Sequence, residues 1–256
     1  MATWITPKED WKAEDGVLNS DFNRIEGNIK YLKENASGAL SATVTYYVSI
    51  AGNDSNDGLS ASTAFATIQK AIDSIPKNLN DFFGHVVVAA GSYAGFSISD
   101  YYGGVITISN RASGAVVITN GVSINRCQSV SFSDMASLTI NGNLSIDTVM
   151  DCRFSMPVAV RNSVYDAVQV STSNVVFSGD LTVQSVSYAA GITAGANANI
   201  YVHDIVVESG TGTGLRAEYG GKLTYNSNPT NNATTKMLTN TGGRIYSGAQ
   251  TSVGKY

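Results

Sequence analysis

From about Val86 to Tyr225 the chain is a long series of very short apolar pieces set apart by Gly, Asn, Ser and Asp. Val86-Val87-Val88, Val122-Ser123-Ile124, Val130-Ser131-Phe132, Leu138-Thr139-Ile140, Leu144-Ser145-Ile146, Val158-Ala159-Val160, Val168-Gln169-Val170, Leu181-Thr182-Val183 and Ile200-Tyr201-Val202 are representative. An apolar–any–apolar triplet has the period of a strand with one buried face, and β-branched residues suit a pleated surface. Centres from Val117 to Thr182 fall six to ten residues apart, so three steps sum to roughly 20 to 25 residues. That is the repeat scale of a solenoid. A sandwich of hairpins can also space strands this way, but its strands usually run to about five or six residues. Tight hairpin dipeptides are also sparse: Asn120-Gly121, Asn141-Gly142 and Asp57-Gly58. The pattern therefore predicts a mostly β fold, a right-handed parallel β-helix with three short strands per coil. One coil cannot bury its inner face alone, so coils must stack.

Composition agrees. Charged residues make up only 14% of the 256 residues and the net charge is −4. No basic run marks a nucleic-acid surface, and no run of eighteen apolar residues marks a membrane span. The N-terminus lacks the charged-then-apolar order of a signal peptide, so synthesis in a host cytoplasm is expected. The two cysteines, Cys127 and Cys152, are separated by about one coil. They are expected to stack as buried free thiols rather than to form a disulfide.

Residues 1–35 differ from the rest. Charges cluster from Lys8 to Asp15 and again from Asp21 to Glu34. Ser20 reads as an N-cap, with Asp21 facing the positive end of a helix dipole. Phe22, Ile25, Ile29 and Leu32 follow at spacings of three, four and three, the apolar seam of a short amphipathic helix. Such a helix is marginal alone in water, so its seam must be covered. The chain's own solenoid or other copies of the helix can do so, and the spacing favours the second as an oligomerisation seam. Trp4 and Trp11, on an otherwise polar peptide, read as anchors for a partner's pocket. Residues 36–45 are small and polar, a linker. Residues 46–225 carry the solenoid, and residues 226–256 a terminal coil or cap after the polar run Asn226 to Asn232. Between Ala64 and Pro76 the apolar positions Phe65, Ile68, Ala71, Ile72 and Ile75 line one helical face. This helix is the lid that the first coil needs.

Two stretches carry resemblances. The run Trp4-Ile5-Thr6-Pro7-Lys8-Glu9-Asp10-Trp11, followed by Asn23-Arg24-Ile25-Glu26 and Asn28-Ile29-Lys30-Tyr31-Leu32, resembles the N-terminal segment of tail-associated proteins in phages and prophages of Gram-positive bacteria. It implies a particle-attachment segment that contacts other tail or baseplate proteins. The run from Tyr47-Val48-Ser49 through Gly52-Asn53-Asp54, Asp57-Gly58, Phe65 and Thr67-Ile68-Gln69-Lys70-Ala71-Ile72 resembles the opening of pectate-lyase-like β-helix proteins. These are common among tail spikes, tail fibres and polysaccharide-processing enzymes, and the resemblance implies a capped β-helix and a homotrimer. The Gly242-Gly243-Arg244-Ile245 ending is similar to those of phage β-helix proteins.

Candidate sites are few. Asn53 to Gly58 alternates oxygen donors before a glycine, which makes Asp54 and Asp57 candidate calcium ligands. The distal bidentate Glu is missing, and Asx-rich turns form for backbone reasons alone. No cofactor is implied. For catalysis, Asp151 and Arg153 share a strand and point the same way, and Asp180 lies about one coil later. Single acidic residues at strand ends usually form turns, so the trio is a thin basis for a glycosidase or lyase. Tyr93, Phe96, Tyr101, Tyr102, Tyr165 and Tyr188 can stack on sugar rings if exposed, and otherwise pack under loops. The expectation is a structural virion protein: a tail fibre, spike or appendage that binds a host surface, including its polysaccharide, without catalysis. A polysaccharide depolymerase and a particle-decorating protein with no receptor role are the alternatives.

Overall fold

The computed structural model describes residues 6, 12, 16, 18–35, 38–110, 114–163, 165–185, 190–207, 213–226, 230–231, 235–239 and 241–247. The chain divides into two units, 1–39 and 40–256.

The second unit is a parallel β-solenoid whose described strands pair in parallel throughout. They form three faces. On the first face, Val44–Val48 is followed by Phe83–Val88, Val105–Ser109, then 129–133, 151–154, 174–177, 199–202, Lys222–Tyr225 and Arg244–Ser247. The second face carries 91–94, 115–119, Ser137–Asn141, 158–161, 181–183 and 205–207. The third carries 96–99, 122–125, 144–147, Val168–Ser171, Ile192–Gly195 and Thr213–Ala217. Partners such as Phe83 and Val105, Val105 and Ser129, Cys152 and Val175, and Val175 and Ile200 lie 22 to 25 residues apart. The repeat expected from the triplets is therefore the coil. Pairing continues to Ser247, so the region after Tyr225 extends the ladder. Leu40 is already buried in the core, so the expected linker ends before residue 45.

Each triplet buries its outer two residues. Val130 and Phe132, Cys152 and Phe154, and Val175 and Phe177 all point inward and are buried. In-register stacking sets like upon like. The rings of Phe132 and Phe154 lie 4.6 Å apart and nearly parallel, and those of Phe154 and Phe177 lie 4.7 Å apart. The cysteines are buried and free, as expected, but they do not stack on each other. Cys152 pairs with Val130, and Cys127 with Val149. Burial pushes both thiol pKa values up.

Strands run longer than the triplets suggest. Ala115–Ser133 is one strand of 19 residues that turns two corners, with the register shifting at Asn120 and Gly121 before pairing resumes at Val122. Asn120 (φ 75°) and Gly121 (φ 86°) make one of those corners. A Cβ on Gly121 would sit 2.6 Å from the Asn143 carbonyl oxygen, so only glycine fits both the backbone angle and the neighbouring coil. The Asn-Gly pairs are thus solenoid corners rather than hairpin turns.

The lid is shorter than its apolar face. The second helix, α2, spans Ile68–Asp73, not the 64–76 that periodicity suggests. Thr67 is its N-cap, its hydroxyl accepting the Lys70 N–H. Phe65 instead bridges to Val48, donating its N–H to the Tyr47 carbonyl and accepting from Ser49. Phe65, Ile68, Ala71, Ile72 and Ile75 are nonetheless all buried, as a lid requires. Open strand edges are finished by side chains as well. Gln69 accepts the Ser97 N–H (2.8 Å) and donates to the Ser97 carbonyl (3.2 Å), substituting for a missing neighbouring strand. The buried Tyr101 hydroxyl donates to the Ile72 carbonyl at the end of α2, and burial raises its pKa.

In the first unit, α1 spans Asn19–Asn35. It starts one residue before Ser20, so Ser20 lies inside the first turn. Asp21 caps the end by accepting the Leu18 N–H (3.0 Å), and it also pairs with Arg24 (3.2 Å). Phe22, Ile25 and Ile29 are 57%, 47% and 58% exposed. The Leu32 side chain, Trp4 and Trp11 lie outside the described residues.

Candidate functional site

The outer surface of the third face follows from the register. Ser97, Ser123, Ser145, Gln169 and Thr193 pair in sequence from coil to coil. Rungs of a sheet are about 4.8 Å apart, so Ser97, Ser123, Ser145 and Gln169 present a hydroxyl or amide at each step, whereas Thr193 is buried with its hydroxyl bound to Asp166. Where it begins, beside the lid, lies a shallow groove of about 550 Å³. Gln69, Ser97, Asn120, Ser123, Asn143 and Ser145 supply its polar lining, over a floor that includes Gly95 and Gly121. The Asn125 amide donates to the Ser123 hydroxyl (2.7 Å), which fixes that group's direction. The lining contains no titratable side chain. Hydroxyls and amides both donate and accept, which suits a neutral polyol, but none of them can act as a general acid or base at neutral pH.

The catalytic candidates do not converge. Asp151 and Arg153 do lie side by side, but they pair with each other, Arg153 Nε donating to both carboxylate oxygens (2.8 and 3.1 Å). Asp180 stands elsewhere. Its neighbour Leu181 pairs with Val158 on the second face, whereas Asp151 belongs to the first. Of the other acids, Asp166 is spent on the Ala190 N–H, the Thr193 hydroxyl and Arg216. Arg126 clamps Asp100 on the neighbouring coil (2.6 and 3.0 Å), and that bond holds the Asp100 carboxyl below its ordinary range.

The two calcium candidates make local bonds. Asp54 Oδ1 accepts the Ala66 and Thr67 N–H groups (2.8 and 3.0 Å), and Oδ2 accepts the Thr67 hydroxyl (2.8 Å). Asp57 accepts the Leu59 N–H (3.0 Å). Hydrogen bonds from Thr63 and Leu59 hold its carboxyl low. Among the tyrosine-type candidates, Tyr93, Phe96 and Tyr101 are buried, while Tyr102 and Tyr165 are exposed. Tyr188 lies outside the described residues. The exposed Tyr219 and the partly exposed Tyr201 were not singled out from the sequence.

Asp180 does meet other groups: His203 and Asp204 share its corner. His203 was not among the residues singled out from the sequence. The missed signal is the coil length, since His203 follows Asp180 by 23 residues, one turn of this solenoid.

No protein-family model, no curated protein and no solved structure matches this chain. Among the described residues, no helix is long and apolar enough to cross a membrane.

Proposed function

We propose that this chain is a structural, non-enzymatic component of a phage or prophage particle: a tail fibre, spike or appendage whose solenoid binds neutral glycan on a Gram-positive surface. One observation carries the reading. The groove beside the lid is lined by hydroxyls and amides and has no titratable side chain, so it can hold sugar hydroxyls but cannot move a proton. The N-terminal segment attaches the chain to the particle, through Trp4 and Trp11, and α1 gathers the copies.

The test is binding of the full chain to polysaccharide purified from Gram-positive cell walls. Ser123→Phe places a ring in the groove at a partly exposed position, and is expected to weaken binding by about tenfold or more while the fold persists. Undiminished binding by a folded Ser123→Phe chain would reject the groove. Release of reducing or unsaturated sugar would replace this reading with that of a depolymerase.

The homotrimer is part of the same proposal. Phe22, Ile25 and Ile29 recur on one side of α1 and are about half exposed, which leaves an apolar seam open to identical seams. Ile25→Asp with Ile29→Asp is expected to convert a trimer to monomer in analytical ultracentrifugation, with the β-rich circular dichroism unchanged. Sedimentation of the unsubstituted chain as a monomer at micromolar concentration would reject the oligomer.

A further inference from the structure

The corner between the first and second faces brings together three metal-ligating side chains from two coils. Asp180 and Asp204 are direct partners in adjacent rungs. His203 Nδ1 lies 3.3 Å from Asp204 Oδ2. One donor atom from each of Asp180, His203 and Asp204 lies within 4.8 Å of the other two. We propose that these three residues bind one divalent transition ion of the zinc or cobalt class, and that the ion staples the coil of Asp180 to the coil of His203 and Asp204.

Three lines of argument support this site. The first is charge. Like charges directly opposite each other on neighbouring strands repel, and rungs are only about 4.8 Å apart. Among the described residues no lysine or arginine pairs with Asp180 or Asp204; the only ion-pair partner either has is the His203 imidazole. A dication between the carboxylates turns that repulsion into attraction.

The second is the donor set. Two carboxylate oxygens and one imidazole nitrogen suit zinc, cobalt or nickel. Calcium takes six to eight oxygens and magnesium a near-octahedral oxygen shell, so neither fits a set that includes nitrogen. Three protein donors leave a fourth position of a tetrahedral site for water or a further ligand.

The third is the backbone. Ser178 and Gly179 separate Phe177 from Asp180, whereas His203 alone separates Val202 from Asp204, and the register shifts between Phe177 and Asp180. This bulge draws Asp180 level with Asp204. It depends on glycine, because a Cβ at Gly179 would lie 2.5 Å from the Met156 carbonyl carbon. Bulges re-aim side chains in this manner.

The experiment uses the untagged full chain, stripped with chelator. Titration with Zn²⁺ by calorimetry, and with Co²⁺ by its visible absorption, is expected to show one ion per chain. Binding should weaken as the solution is acidified, because a protonated imidazole has no lone pair to offer. Asp180→Asn and His203→Gln should each weaken binding by about tenfold or more. His85→Gln, at the chain's other histidine, should leave it intact. Zn²⁺ should raise the unfolding temperature of the unsubstituted chain but not of Asp180→Asn, and Ca²⁺ and Mg²⁺ should do neither. Absence of saturable Zn²⁺ or Co²⁺ binding overturns the site, as does binding that survives His203→Gln.

Discussion

Phe154→Ala is expected to cost the solenoid about 3–5 kcal/mol, the range for removing a large aromatic side chain from a packed core. Phe154 is fully buried, and its ring is the middle member of a stack, 4.6 Å from Phe132 and 4.7 Å from Phe177. Each of its ring faces meets another ring, so truncation leaves two partners facing a void. Parallel in-register rungs hold the neighbouring backbones at a fixed spacing, which leaves little freedom to collapse into that void. Coils contact only their neighbours, so the damage should concentrate in the rungs around 129–133, 151–154 and 174–177. Urea unfolding measures the loss, and hydrogen exchange locates it. Phe154→Leu keeps most of the apolar volume and should cost less, about 1–2 kcal/mol. Met150→Ala, at an exposed side chain, should fall within about 0.5 kcal/mol of the parent. A cost below about 1 kcal/mol for Phe154→Ala would mean that the ring column does not hold these coils together.

The column was legible in the sequence in outline. Phe132, Phe154 and Phe177 each end an apolar piece, and they lie 22 and 23 residues apart, one coil each. What a single sequence hides is the number of residues spent at each corner. Corners here use positive-φ residues as varied as Asn120, Arg126, Thr148, Asn162 and Thr172, so no one residue type marks them. That variation misplaced Asp180. Counting one coil from Asp151 points to Asn174, its register successor, and Asp180 falls six residues later, past the next corner. That Asp151 and Arg153 share one side of a strand was legible because alternation within one strand involves no corner; that they neutralise each other was not. The lid shows the same division. Its apolar face identified five of the buried residues and missed Ala64, and it could not reveal that Phe65 spends its backbone on Val48 and its neighbours rather than on a helix. Distant partners account for the rest: nothing local in Asn53 to Gly58 shows that Asp54 is held by residues 12 and 13 positions away.

Asp54→Ala should therefore act on the lid rather than on a metal site, and the expected cost is about 3 kcal/mol, because a carboxylate that accepts several hydrogen bonds is removed and its donors are left behind. The chain of bonds runs from the Asp54 carboxylate to the Thr67 hydroxyl, and from that oxygen to the Lys70 N–H at the start of α2. Its other oxygen holds the Ala66 and Thr67 N–H groups, next to Phe65. Phe65 in turn closes the edge of Val44–Val48. Loss of the carboxylate thus loosens the helix cap and the first strand's edge together. Hydrogen exchange should accelerate over 44–49 and 63–72 and remain slow over 168–171 and 199–207. Asp54→Asn keeps one carbonyl oxygen for the N–H groups but loses the charge and the acceptor for Thr67, so its cost should be intermediate. Calcium discriminates between the two roles. If Asp54 is a strut, Ca²⁺ leaves the unfolding temperature of the unsubstituted chain unchanged and cannot be missed by the variant. A rise in stability with Ca²⁺ that Asp54→Ala abolishes would restore the loop as a calcium site, and the lid would then owe its position to the ion rather than to Thr67.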